Sequence, residues 1–209
     1  IDKSYLDVAL KGYKGFLDNF IEVDKNGNVA VKDDYMDDIY LGSVFPKYNL
    51  AWRNDFNYKG INLGVLFTAR IGGICYSATQ ANMDLYGVSE ASAAARDAGG
   101  VMINGRDMID AQKWYQVIGS QSGLPQYYTY SATNVRLQEL SLGYTLPSKW
   151  FRDKMRMTVS FVGRNLWMIY CKAPFDPEAV ASTGMNYQGI DYFMMPSMRN
   201  LGFNVKFQF

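Results

Sequence analysis

The apolar residues of this chain recur every second position in several long runs. At 201–209, Leu201, Phe203, Val205, Phe207 and Phe209 share one face of an extended strand, and Gly202, Asn204, Lys206 and Gln208 share the other. Strand side chains point alternately to opposite sides, so this is the signature of a strand with one apolar and one polar face. The same period runs through 47–58 (Tyr48, Leu50, Trp52, Phe56, Tyr58), 61–71 (Ile61, Leu63, Val65, Phe67, Ala69, Ile71) and 155–165 (Met155, Met157, Val159, Phe161). Over 135–146 the phase slips: Val135 and Leu137 keep one register, Leu140, Leu142, Tyr144 and Leu146 the other. One extra residue near Gln138-Glu139 restores a single face, which predicts a β-bulge there. The five runs predict a consecutive antiparallel meander.

Length and connectivity narrow the fold class. Strands of about 9 to 12 residues exceed the 5 or 6 usual in soluble sheets and suit tilted strands crossing a bilayer. Tyr58-Lys59-Gly60-Ile61 reads as a tight turn and 147–154 as a short one, whereas 72–134 and 166–200 are long connections. Short periplasmic turns alternating with long extracellular loops are what a membrane barrel has. The polar faces carry Arg53, Arg70, Arg136, Arg156 and Lys206, as a lumen would. Alternation alone favours a soluble β-sandwich; strand length, aromatics near the strand ends and the alternating loop lengths favour the membrane. The expected class is all-β: an antiparallel transmembrane β-barrel with long extracellular loops.

The loops carry structure of their own. Ser89–Ala98 is rich in alanine and precedes Gly99-Gly100, which predicts a helix with a glycine stop. Residues 110–118 predict a second helix, capped by Asp110. Most of the 11 Met and many of the aromatics fall in the two long loops, which suits a lid or docking surface. Near the start, Asn26-Gly27 between Ile21/Val23 and Val29/Val31 predicts a hairpin. Asp24-Lys25-Asn26-Gly27-Asn28 looks superficially like a calcium loop, but Val29 stands where such a loop needs glycine and no terminal Glu follows; no metal is expected.

Composition removes several functions. Lys+Arg 21 against Asp+Glu 20 is too balanced for a nucleic-acid binder. No histidine is present, which removes His-based catalytic arrangements and His–metal sites. Cys75 and Cys171 match no metal or redox spacing; they are two free thiols or one disulfide. Asp176 and Glu178 flank Pro177, a turn rather than a catalytic pair. No run is long and apolar enough for a transmembrane helix, which says nothing against a barrel. No enzyme activity and no cofactor are expected.

Ordered motifs then carry a resemblance. Gly42-Ser-Val-Phe-Pro46-Lys-Tyr-Asn is followed by Asn54-Asp-Phe56-Asn-Tyr58-Lys59 and by Val135-Arg-Leu137-Gln-Glu-Leu-Ser-Leu-Gly143-Tyr-Thr-Leu-Pro147. Gly163-Arg-Asn165-Leu166, Asp176-Pro177-Glu178 and Phe207-Gln-Phe209 come next. Together they resemble the late-barrel pattern of SusC/RagA-type TonB-dependent transporters. The resemblance implies a barrel of about 22 strands around an N-terminal plug, in the bacterial outer membrane. It also implies import of oligosaccharides or peptides driven through TonB, with a SusD-like surface lipoprotein as lid. Residues 1–209 are read as the C-terminal segment of such a barrel, the plug lying elsewhere in a longer transporter. The resemblance makes Phe203, Val205, Phe207 and Phe209 the barrel assembly signal. Trp114, Tyr115, Tyr127 and Trp167 are the candidates for substrate binding or lid docking, since aromatic rings stack on sugars and adapt to partners. The leading expectation is glycan import. A peptide importer, a passive porin and a soluble all-β glycan-binding domain are the alternatives.

Overall fold

A computed structural model describes residues 21–26, 28–31, 40–103, 107–121, 123–152, 154–182, 184 and 187–208. Its strands in chain order are β1 (Ile21–Val23), β2 (Val29–Val31), β3 (Tyr48–Tyr58), β4 (Ile61–Ile71) and β5 (Ile74–Ser77), then β6 (Val101–Ile103), β7 (Asp107–Ile109), β8 (Thr129–Ser131), β9 (Asn134–Thr145), β10 (Arg156–Cys171), β11 (Ile190–Asp191) and β12 (Asn200–Gln208). The helices are α1 (Ala78–Leu85), α2 (Glu90–Asp97) and α3 (Ala111–Ile118). The chain forms two compact units. One, the wall, takes residues 45–73, 132–179 and those from 195 on; the other, the loop unit, takes those up to 44, 74–131 and 180–194.

The wall is a five-stranded sheet in the order β12-β10-β9-β4-β3. Every pairing in it is antiparallel, as the meander requires. The register puts the apolar alternates on one face. Trp52 lies opposite Phe67, Phe67 opposite Leu137, Leu63 opposite Leu142, Leu142 opposite Phe161, and Phe161 opposite Phe203. The expected bulge is present: Leu66 pairs with Glu139 and Phe67 with Leu137, leaving Gln138 as the extra residue. Lys59 and Gly60 turn β3 into β4 with φ of 49° and 88°, the two positive values that a type I′ hairpin demands.

One boundary departs from the sequence reading. The strand expected over 155–165 runs on to Cys171. Two register shifts against β9, between Arg164 and Trp167 and between Met168 and Tyr170, carry it forward. Asn165 absorbs the first with a left-handed φ of 52°, a conformation Asn tolerates better than most residues. The irregularities break the two-residue period, so alternation could not reveal this extension. The long loop therefore starts after Cys171, and Trp167 is a strand residue.

The loop unit builds its own core. In α3, Ala111, Trp114, Tyr115 and Ile118 are buried, the i, i+3, i+4, i+7 spacing of a helix with one apolar face. They pack with Ile21, Ala81, Ile109, Leu124 and Tyr128. The cap read from sequence is in place, with Asp110 accepting from the Lys113 N–H. The alanine-rich helix also forms, but it starts at Glu90, and Ser89 stands before it as its cap, accepting from the Ser92 N–H. The β1–β2 hairpin also forms. Two further features go beyond the sequence expectation: α1, capped by Ser77, and the small sheet β11-β5-β8, whose β5–β11 pair is parallel.

Candidate functional site

The polar face of the wall is knitted by charge. The Arg53 guanidinium meets the Asp55 carboxylate at 2.9 Å and approaches Glu139 at 3.8 Å, and Arg164 meets Glu139 at 2.9 Å. This line crosses β3, β9 and β10, because Leu66 of β4 stands opposite both Arg53 and Glu139, and Glu139 opposite Arg164. Small residues occupy the middle of the same face. A Cβ on Gly64 would fall 2.5 Å from Ser141 Oγ, and one on Gly143 would fall 2.9 Å from Ser160 Cβ.

Beyond the bulge lies a buried knot around Arg136, whose side chain is 3% exposed. Its Nε donates to Asn134 Oδ1 at 3.2 Å and its Nη1 to Asn165 Oδ1 at 3.4 Å. Its Nη2 meets Asp176 Oδ1 at 2.9 Å and Glu178 Oε2 at 3.3 Å. Asp176 also accepts from the Glu178 backbone N–H and the Ser197 hydroxyl. Asn165 Nδ2 donates to Ser197 Oγ at 2.8 Å and to the Met198 carbonyl at 3.3 Å. Burial opposes the Asp176 charge, but hydrogen bonds from Ser197, Arg136 and the Glu178 N–H outweigh it and hold its pKa below the ordinary carboxylate value. Three of the ordered sequence motifs thus converge on one cluster that fastens segments 172–179 and 195–199 to the sheet. In the sequence Arg136 falls on a polar strand face and Asp176 in a turn 40 residues on, and no local pattern joins them.

Beside this knot the wall has a cavity of about 350 Å³, lined on its polar side by Asn165, Asp176, Ser197 and Arg199. The loop unit has one of about 250 Å³ near α1, α2 and α3, lined by Asp84, Ser92, Arg96, Gln112 and Tyr115 among others. There Asp84 accepts from the Ser89 hydroxyl and Arg96 donates to the Gly87 carbonyl at 2.7 Å. The Tyr130 hydroxyl donates to Gln80, and burial first of all raises its pKa to about 12.

The sequence candidates fall in different places. Trp114 and Tyr115, 2% and 4% exposed, lie inside the loop-unit core. Tyr127 packs against that core and meets Tyr128 edge to face with centroids 5.1 Å apart. Trp167 belongs to the wall and stands opposite Leu137 on its apolar face, 61% exposed. Phe203, Val205 and Phe207 are exposed along the same face of β12; Phe209 lies outside the described residues. Cys75 and Cys171 are free thiols. The Asp24 carboxylate accepts from the Asn26 and Asn28 N–H groups and from Asn28 Nδ2, so the calcium-like segment uses its first ligand position to hold the hairpin.

No family model matches the chain. Over 198 residues it is 25% identical to TonB-dependent receptor P3 of Formosa agariphila, covering 90% of this chain and 19% of that protein. Among solved structures, the RagAB peptide importer in its open-open state matches with TM-score 0.60 at 17% identity, over 86% of this chain and 19% of that one. In its closed-closed state the TM-score is 0.54 at 19% identity, over 89% and 20%. The chain spans about one fifth of the length of these relatives, and at such identities the structural likeness speaks for the fold. Sequence match and fold bear out the resemblance read from the motifs: this chain is similar to one stretch of a SusC/RagA-type TonB-dependent outer-membrane transporter.

Proposed function

We propose that this chain is a piece of barrel wall, with its extracellular loops, in a TonB-dependent importer of the bacterial outer membrane. The observation that carries this is the exposure of the apolar face. Trp52, Phe161 and Phe203 are 59%, 50% and 70% exposed on it, whereas a soluble sandwich buries that face under a second sheet. Tilted by about 45°, an 11-residue strand rises roughly 26 Å, the height of a barrel's apolar band. The apolar face meets lipid and the polar face lines the lumen. Phe203, Val205, Phe207 and Phe209 form the assembly signal, and Trp167 joins the outward aromatics.

The loop unit is the surface for a SusD-like lid lipoprotein. Trp114 and Tyr115 shape that surface from beneath, Tyr127 lies nearer to it, and exposed Tyr86, Met102, Met108 and Tyr192 supply adaptable contact area. The cargo is an oligosaccharide; a peptide is the second reading, favoured by the solved relatives, which are described as peptide importers or transporters. This function gives the chain no catalytic role. The deciding experiment measures uptake of labelled oligosaccharides and peptides by cells carrying the intact transporter, with and without TonB. Uptake that ceases without TonB supports the importer, and the labelled compound that enters identifies the cargo. Uptake indifferent to TonB makes it a passive porin and overturns the proposal.

A further inference from the structure

The cavity beside the Arg136 knot lies over the polar face of the wall. Met168 and Cys171, which line it, stand opposite Arg136 and Asn134. It opens where the strands pass into the long loops, at the end of β9 and β10 away from the 147–154 turn. Its polar lining is unevenly committed. Asn165 gives its oxygen to Arg136 and its amide to Ser197 and Met198. Asp176 is occupied by Arg136, Ser197 and the Glu178 N–H. The Ser197 hydroxyl donates to Asp176 and accepts from Asn165. The Cys171 thiol points to the Ala173 and Phe175 carbonyls. Arg199 has no ion-pair or hydrogen-bond partner among the described residues. Recognition at this site therefore falls to a guanidinium, which offers five donors in a planar fork and accepts nothing. Its complement is a planar pair of acceptors. Leu166, Phe175 and Pro196 give the same cavity an apolar wall, against which the body of a small ligand packs.

We propose that this cavity is a cargo subsite for a carboxylate-bearing group, anchored by Arg199. The inference rests on the importer reading. Repulsion from the two carboxylates on Arg136 is limited, because Asp176 meets that guanidinium at 2.9 Å and Glu178, at 3.3 Å from it, is 42% exposed and screened by water. The volume of about 350 Å³ admits one residue of a larger cargo rather than the whole. Two sources carry this chemistry: an acidic or C-terminal peptide carboxylate, and a uronic acid in an oligosaccharide.

The test uses the intact transporter containing this chain, purified in detergent, and calorimetric titration with triglutamate and with trigalacturonate. Triglutamine amide and a neutral galactose trimer are their uncharged counterparts. Wild type binds one carboxylate probe at least tenfold tighter than its counterpart. Arg199→Gln removes that preference, and Arg199→Lys keeps part of it, since a point charge replaces the fork. Which probe binds names the source. As a readout independent of folding of the variants, bound probe slows alkylation of Cys171, which lines the same cavity. The inference is overturned if neither probe outbinds its neutral counterpart, if well-folded Arg199→Gln keeps the preference, or if Cys171 alkylation ignores a bound probe. If uptake stays TonB-dependent under any of these results, the importer reading survives without this subsite.

Discussion

Replacing Arg136 by Met leaves Asp176 and Glu178 without the cation that joins them. Glu178 is 42% exposed and turns to water, but the Asp176 side chain is 7% exposed and cannot. Removing one partner of a buried pair costs about 3–5 kcal/mol, chiefly the burden of the charge left behind. Asp176 keeps its bonds from Ser197 and the Glu178 N–H, so the lower end applies, about 3 kcal/mol or roughly 10²-fold in an equilibrium. The loss should be local, because β9 and β10 remain held by their ladders to each other and to β4 and β12. Hydrogen exchange of the intact transporter in detergent measures it. Amides of 172–179 and 195–199 should exchange about two orders of magnitude faster, with those of 140–145 and 156–163 unchanged. Arg136→Met with Asp176→Asn should recover much of the protection, since the stranded charge is gone. Unchanged exchange at 172–179 in Arg136→Met would refute the argument that this ion pair fastens the loop. The same linkage predicts a pH effect. A carboxyl whose folded pKa lies below its ordinary 3.8 contributes stability that is present above that value and lost as pH falls through the folded one. Loop protection should hold at pH 5 to 7 and fail only below about pH 4.

Trp114→Ala should cost the loop unit about 3–5 kcal/mol, the range for emptying a buried aromatic site; limited proteolysis of the 74–131 region should rise sharply while heat-resistant barrel mobility on gels persists. Gly143→Val should lower the yield of heat-modifiable folded barrel by about 1–3 kcal/mol of overpacking, because its Cβ would meet Ser160 Cβ at 2.9 Å; wild-type yield would show that the face can give way. Asp110→Ala should loosen α3 by about 1 kcal/mol, seen as faster exchange at the Lys113 amide, which the cap now holds. Deleting Phe209 from the intact transporter should reduce the amount reaching the outer membrane, measured by surface immunoblot, and leave transport per molecule unchanged.

Much of the wall was legible from sequence because its information is local. Alternation at 47–58, 61–71 and 201–209 states both the strand and the face of each side chain, and one slip in the phase near Gln138-Glu139 states the bulge. The alanine run before Gly99-Gly100 and the cap at Asp110 are equally local, so both helices could be read without knowing their neighbours. The tertiary structure decided what depends on the return of the chain. Irregular residues at 165 and 169 erase the period just where β10 continues, so only pairing with β9 shows that Trp167 lies on the apolar face. Trp114 and Tyr115 carry the same aromatic chemistry whether they face a partner or a core. Only the packing of Ile21, Ala81 and Leu124 around α3 decides that they are interior. Arg136 and Asp176 are unremarkable charges in sequence. They become a buried pair because two bulges and a returning loop remove the water from around them, and no local pattern encodes where water will be absent.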